Sequence, residues 1–164
     1  MGEFGQDMAT ILGSRAEPEL KWDCWRRRGD REAAVFTYFV PQPRSDYKLF
    51  FCCFLEQGVG DIQQLYQAAI QGAIYADPAT GEIQQLVIQA VNMPAHFQID
   101  EDNTIISYGQ VNIGGRTYNL PVSATVFARA GIQRNRNEIR FVNYRKFDSE
   151  SVMTEVHSNI TYIQ

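Results

Sequence analysis

The chain has 164 residues, of which 45% are apolar and 12% aromatic, and its formal net charge is −4. This length suits one domain with a single core, and the apolar content excludes a disordered chain. No apolar run approaches the roughly 20 residues that span a bilayer, and residues 1 to 14 lack the pattern of a signal peptide. We therefore expect one domain over residues 1 to 164, although a mature fragment of an exported precursor would give the same pattern.

Charge is unevenly distributed along the sequence. Residues 49 to 115 contain no Lys or Arg, whereas residues 129 to 146 carry basic side chains against Glu138 alone. One end of the sheet is therefore expected to be acidic and another basic. A basic hairpin could track phosphates, but no RNA-binding signature or zinc-finger spacing accompanies these charges. We interpret the segment as a solvated strand edge and expect no nucleic-acid partner.

Three cysteines, Cys24, Cys52 and Cys53, are too few for a disulfide framework. Cys52 and Cys53 are neighbours, so their side chains point to opposite faces of a strand. If Cys24 lies on the first strand of a meander and the pair on the third, about 10 Å separates them, which exceeds the reach of a disulfide. We expect buried free thiols and no metal site, because no spacing typical of zinc ligands is present.

The first half of the chain predicts a helix followed by strands. Apolar residues recur at helical spacing in residues 1 to 13 and stop at Gly13, which predicts a short helix packed on the sheet. Residues 20 to 28 and 32 to 40 predict a hairpin, and residues 47 to 55 a third strand. The second and third strands are apolar on both faces, which fits either a two-layer core or a sheet curling around a ligand cavity.

The central hairpin spans residues 68 to 91 and turns at Asp77-Pro78-Ala79-Thr80-Gly81. Asp77 can bond the backbone ahead of it, Pro78 fixes φ, and Gly81 can adopt a positive φ. A five-residue loop pairs Gly72 with Leu86 and Ile70 with Ile88, so even-numbered residues share an apolar face. Residues 58 to 73 also fit an amphipathic helix, but the turn requires a strand before it, and we predict one unbroken strand from about Gln64.

The second half predicts further antiparallel strands. Residues 100 to 103 read as a polar turn, which lacks the glycine and terminal Glu of a calcium loop. Strands follow at residues 104 to 113 and 116 to 120, joined by Gly114-Gly115, and Pro121 is tolerated only at an edge or bulge. Residues 122 to 130 and 138 to 147 continue the meander, and the tail after residue 148 alternates weakly.

No catalytic signature is present. The chain contains no GxSxG, HExxH, Walker or GxGxxG motif, and its only histidines are His96 and His157. These two lie in a proline loop and in the tail, where a surface role is the simpler interpretation than that of a general base. Paired carboxylates could act as acid and base, but their pairing is spatial and sequence does not reveal it. We expect a non-enzymatic protein without a cofactor.

A set of motifs supports a resemblance. These are AAVFTYFV at 33 to 40, SDYKL at 45 to 49, YADPATGE at 75 to 82, MPAHF at 93 to 97, YGQVNIGGRTYNLP at 108 to 121 and RNEIRFVNYRKF at 136 to 147. The chain resembles uncharacterised secreted bacterial proteins whose strand meanders are similar to the lipoprotein-carrier (LolA-like) fold. The likeness covers about residues 2 to 151. Family members begin well before Met1 of this chain, which would then be the C-terminal portion of a longer domain.

The resemblance implies a mainly β (α+β) fold: a strongly curved antiparallel meander, an open or half barrel with helices packed in its concavity. It also implies a periplasmic or secreted location and a concavity that holds a lipid or another apolar ligand. Our candidates for the lining are Phe36, Tyr38, Phe51, Leu86, Ile88 and Tyr108. The alternative for each is ordinary core packing.

A second hypothesis is a structural or protein-interaction module of an envelope or secreted assembly, with a lipoprotein or envelope protein as partner. It would use the basic hairpin at residues 129 to 146 or an unpaired sheet edge. An incomplete barrel leaves two such edges, so a homodimer formed by edge pairing is a further expectation.

Overall fold

A computed structural model describes residues 11 to 13, 15 to 28, 31 to 52 and 63 to 145. The strands of this part are β1 (Glu19–Arg28), β2 (Arg31–Val40), β3 (Lys48–Cys52), β4 (Gln63–Gln67), β5 (Ala69–Ala76), β6 (Ile83–Val91), β7 (Glu101–Ile113), β8 (Arg116–Ala130) and β9 (Gln133–Arg140). The helix predicted over residues 1 to 13 falls mainly outside the described residues and has no support from the rest. Cys53, His157 and the tail also lie outside them.

The main sheet is antiparallel and has seven strands in the order β1-β2-β5-β6-β7-β8-β9. It is not closed, because β1 and β9 do not pair with each other in the described part of the chain. This confirms the predicted antiparallel, mainly β class. The place predicted for the third strand was wrong, since β3 pairs with β4 in a separate two-stranded sheet and β2 pairs with β5.

The predicted unbroken strand from Gln64 to Ala76 is divided at Ala68. Before this residue β4 pairs with β3, and after it β5 pairs with β2 and β6. The Ala68 amide donates a hydrogen bond of 2.9 Å to the Tyr47 carbonyl, so the backbone at the break is still satisfied. The strand prediction was therefore right in type, and the interruption follows from a change of pairing partner.

The hairpin of β5 and β6 has the predicted turn chemistry. The Asp77 carboxylate accepts hydrogen bonds from the Ala79 and Thr80 amides at 2.8 and 3.0 Å, and Gly81 has a φ of 73°. These backbone hydrogen bonds hold the pKa of Asp77 below its ordinary value.

The predicted register of this hairpin was shifted by two residues. Gly72 lies opposite Ile88 rather than Leu86, because six residues rather than five separate the paired residues Ala76 and Ile83, and Gln84 then bulges before the pair of Tyr75 with Gln85. A shift of two residues preserves the face of every side chain, so the even-numbered residues do share one apolar face.

That face, here called the core face, carries the main hydrophobic cluster. Its members come from β2, β5, β6, β7 and β8, together with Ile11 and Ala16 before the first strand, and they include Tyr38, Val40, Ile70, Ile74, Leu86, Ile88, Ile106, Tyr108 and Ala124. A second cluster joins β3 and β4 to the start of β5 and the end of β6. Its buried members are Leu49, Ala68, Ala90 and Phe97. Removal of these side chains from water is the main term that stabilises the sheet.

Strand β7 begins earlier than predicted, at Glu101, so the polar turn predicted at residues 100 to 103 was wrong. Alternation places Asp102 on the core face, where it is 7% exposed and accepts a hydrogen bond of 2.7 Å from the Tyr47 hydroxyl. Burial raises the pKa of the Asp102 carboxyl above its ordinary value, and the Tyr47 hydrogen bond opposes this.

The hairpin of β7 and β8 has the predicted glycine turn, and Pro121 lies at one of the two settings expected for it, a bulge. Gly114 and Gly115 have φ values of 59° and 78°, as a two-residue hairpin turn requires. Pro121 stands opposite Tyr108 next to a bulge, while Ser123 stands opposite Ser107, so Val122 is the extra residue. The last turn lies at Gly131, one of the two predicted positions.

Candidate functional site

The six residues predicted to line a ligand cavity lie in three different places. Tyr38, Leu86, Ile88 and Tyr108 belong to the main hydrophobic cluster and are at most 8% exposed. Phe36 is half-buried against the Trp22 ring at 5.4 Å, and Phe51 packs against the second cluster. The structure therefore brings four of them together as packed side chains of the core face and separates the other two.

Tyr38 also ties two strands together. It stands opposite Gly72, and its hydroxyl donates a hydrogen bond of 2.9 Å to the Val87 carbonyl on β6. A Cβ atom at Gly72 would overlap that same carbonyl and lie 3.0 Å from the Tyr38 hydroxyl. The position thus requires glycine for close approach of the two backbones.

A groove of about 760 Å³ lies on the opposite face of the sheet. Its apolar side chains come from three strands: Val87 on β6 stands opposite Ile105 on β7, and Phe127 on β8 stands opposite Asn103 on β7. Because these residues carry odd numbers in register with each other, they face away from the core face. We call this depression the outer groove.

Basic side chains border the outer groove at β8 and β9. Arg129 forms ion pairs with Asp100 and Glu101 at 3.1 and 3.4 Å, so the acidic and basic segments meet, and the expectation of separate acidic and basic ends was wrong here. Arg134 stands directly opposite Arg129 and has no acidic partner among the described residues.

Arg136 connects the apolar and charged parts of the outer groove. Its guanidinium lies 5.3 Å from the centre of the Phe127 ring and also pairs with Glu138. A cation over an aromatic face is attracted by the ring quadrupole, and the ring is thereby held in place. The outer groove therefore combines an apolar floor with ion-paired arginines and with the guanidinium of Arg134, which has no acidic partner among the described residues.

Sequence reasoning missed the outer groove. Val87, Ile105 and Phe127 alternate in sequence with the buried residues of their strands, and they share their face with Gln89, Asn103 and several arginines. That mixture reads as a solvated face. The available signal was the presence of apolar residues on the same face of three neighbouring strands, within two residues of one register.

An aromatic patch lies on β1, the first strand of the main sheet, which pairs only with β2 in the part of the chain that the structure describes. Leu20, Trp22 and Trp25 are 50%, 50% and 56% exposed, and the two indole rings meet edge to face at 5.0 Å. Trp22 pairs with Phe36 and Trp25 with Ala34, which places the three side chains on the side of the core face. We call this set the edge patch.

Groups with catalytic or metal-binding chemistry are sparse in the described part of the chain. His96 is exposed in a turn, and no group of three or more His, Cys, Asp or Glu residues in the described ranges could hold a metal ion. Cys24 is a half-buried free thiol on β1, and its Sγ lies 3.2 Å from the Asp23 carboxylate. The side chain of Cys52 and the whole of Cys53 lie outside the description.

Comparisons with known proteins give no relatives: no family model, curated protein or solved structure matches the chain. Within the described residues, no helix has both the length and the apolar character needed to cross a membrane. The class defined by fold and surface is therefore an open antiparallel sheet with a grooved outer face.

Proposed function

We propose that the chain is a non-enzymatic domain that binds an amphipathic ligand with an apolar body and an anionic head in the outer groove. The observation that carries the proposal is the juxtaposition of the Val87, Ile105 and Phe127 floor with Arg134. A ligand tail covering about 200 Å² of apolar surface would contribute on the order of 5 kcal/mol before ordering costs. An anionic head next to Arg134 would offset the repulsion between Arg134 and Arg129.

The groove replaces the lining first expected for the ligand. The core-face residues Tyr38, Leu86, Ile88 and Tyr108 are packed against neighbours, and a ligand there would have to displace core side chains. The outer groove needs no such displacement. The half-barrel curvature, the likeness to lipoprotein carriers and a periplasmic or secreted location form part of the same proposal, and they rest on the motifs of the sequence alone.

The test uses dodecanoate as the probe and dodecanol as its uncharged analogue, with binding measured by calorimetry and native mass spectrometry. We expect Ile105→Glu to weaken dodecanoate binding roughly tenfold or more, because a carboxylate would stand in the apolar floor. Arg134→Glu should weaken dodecanoate binding several-fold and leave dodecanol binding nearly unchanged. Val111→Glu is the matched control, since Val111 lies on the same strand and face but outside the groove.

Failure of the wild-type protein to bind either probe, or equal losses in the Ile105 and Val111 variants, would refute the groove assignment. Circular dichroism of each variant confirms that the sheet is retained.

A second candidate function is a protein-interaction module that uses the basic hairpin or a sheet edge. It is favoured by Ile132, which is fully exposed at the tip between β8 and β9, beside Arg134. An exposed apolar side chain among cations suits an acidic protein partner. This function predicts that the protein binds neither dodecanoate nor dodecanol, and that it associates with a protein partner or with a second copy of itself. That association should weaken as salt is added and should be lost in Ile132→Ser.

A further inference from the structure

The edge patch combines exposed aromatic side chains with cations on β1, which pairs only with β2 among the described residues. Leu20, Trp22 and Trp25 face one side of β1, and Arg27 follows on the same side. Arg26 and Lys21 are exposed on the same strand. Neither indole N–H donates a hydrogen bond to another residue within the described part of the chain. No part of the outer groove is involved.

The size of the edge patch argues against a second copy of the chain as its occupant. Two half-exposed tryptophans and one leucine expose on the order of 300 Å², whereas a stable dimer buries roughly 800 Å² on each partner. The bulge at Asp23 also interrupts the ladder of β1, which hinders pairing of this edge with another strand.

The chemistry of the edge patch matches a lipid surface. Tryptophan prefers the boundary between acyl chains and headgroups, because its ring is apolar while its N–H needs a polar partner. The run Arg26-Arg27-Arg28 directly after Trp25 supplies cations of the kind that are attracted to anionic headgroups.

We propose that the edge patch docks the protein on anionic phospholipid surfaces, with Trp22 and Trp25 inserted at the headgroup level and Arg27 against the phosphates, while Arg26 adds positive charge from the other face of the same edge strand. Docking of this kind is reversible and depends on salt, since its electrostatic part is screened within a Debye length. The acids Asp23 and Glu19 on the same strand partly offset its positive charge and limit the strength of docking on anionic lipids.

The experiment exploits the fact that the chain has only two tryptophans, both in the edge patch. Vesicles of phosphatidylcholine with about one third phosphatidylglycerol should shift the tryptophan emission to shorter wavelength, and brominated phosphatidylcholine in the same vesicles should quench it. Vesicles of pure phosphatidylcholine should give a much smaller shift. High salt should reverse most of the shift that the anionic vesicles produce.

Co-flotation with the same vesicles tests the variants, which have altered fluorescence of their own. Trp25→Ser and the double variant Arg26→Glu, Arg27→Glu should each lower the partition coefficient about tenfold or more. Phe50→Ser is the matched control, because Phe50 is an equally exposed aromatic residue on the separate small sheet, and it should float like the wild type.

Three results would overturn the proposal. These are an unchanged emission spectrum with anionic vesicles, equal flotation of the Trp25 and Phe50 variants, and a solution dimer that Trp25→Ser dissociates. A melting curve for each variant separates loss of docking from loss of folding, and Leu20→Glu gives an independent variant of the patch that keeps both tryptophans.

Discussion

At the scale of single residues, Asp102 is a carboxyl group buried on the core face of β7. Asp100, Glu101 and Asp102 form a run of three carboxylates, which predicts a solvated turn. In the structure the strand alternation separates them: Glu101 points outward to Arg129, while Asp102 points inward to Tyr47. The reason is that Thr104, Ile106 and Tyr108 fix the face of β7, and Asp102 is in phase with them.

This burial makes a prediction about pH. Because the pKa of Asp102 is raised in the folded protein, the unfolded chain loses this proton first, and stability falls as pH rises from about 3.8 to the raised folded value. Asp102→Asn removes the titration and keeps an oxygen that accepts from Tyr47. We expect equal free energies of unfolding below pH 3.8 and a more stable variant at neutral pH, as measured by urea denaturation.

The neighbouring substitution Glu101→Gln serves as the control for Asp102→Asn. Glu101 is exposed and pairs with Arg129, so its loss should leave stability nearly unchanged or slightly lower at neutral pH. A destabilised Asp102→Asn protein at neutral pH would mean that the fold requires the ionised carboxylate.

At the scale of elements, β5 lies between β2 and β6 at a very close approach. Gly72 lies under the Tyr38 hydroxyl and next to the Val87 carbonyl, so three strands meet at one residue without a side chain. Glycine inside a strand ordinarily weakens it. Here the cost is offset by the hydrogen bond from Tyr38 to Val87 and by the close approach of the Gly72 and Val87 backbones, which a Cβ atom would prevent.

We predict that Gly72→Ala destabilises the protein by about 2 to 3 kcal/mol, because the overlap is with backbone and only a shift of strands relieves it. Gly109→Ala provides the comparison. Its Cβ would lie 3.1 Å from a Val122 methyl group, which can rotate away, and the expected loss is about 1 kcal/mol or less. Tyr38→Phe should lose about 1 kcal/mol for its hydrogen bond to Val87. Equal losses in the two glycine variants, measured by denaturant unfolding, would contradict this account.

The elements also show which features the sequence could predict. The turn at Asp77 and the hairpin at Gly114 are local, and their residues predicted them correctly. Pro121 predicted either a strand edge or a bulge, and it lies next to a bulge. The separation of β3 and β4 from the main sheet depends on pairing between distant segments. Turn residues and apolar alternation carry no information about such partners, which is why the third strand was misplaced.

At the scale of the whole molecule, the two faces of the sheet have different roles. The strong apolar alternation identified the core face. The ligand lining predicted from the sequence was based on the same alternation, and four of its six residues are packed against one another in the core. The outer groove and the edge patch use weaker signals, because both mix apolar side chains with charged ones. Apolar alternation alone therefore identified the core residues but did not identify the two exposed surfaces.

The separation of these surfaces gives a prediction for the intact protein. Arg134 lies on the outer face at β9, whereas Trp25 lies on the side of the core face at β1, at the other edge of the seven-stranded sheet. We expect Arg134→Glu to leave vesicle binding unchanged and Trp25→Ser to leave dodecanoate binding unchanged, with additive losses in the double variant. Strong non-additivity in a combined titration would show that the surfaces form one site.

The order of strands in the main sheet has a consequence for biosynthesis. Neighbours in the sheet are also neighbours in sequence, apart from the excursion through residues 41 to 68 between β2 and β5. As the chain leaves the ribosome, each new strand meets a partner that is already present, so the sheet can grow in one direction from β1 to β9. The exception is β2, because its partner β5 is synthesised only after the small sheet of β3 and β4. During that interval one edge of β2 is unpaired, and a chaperone could bind there.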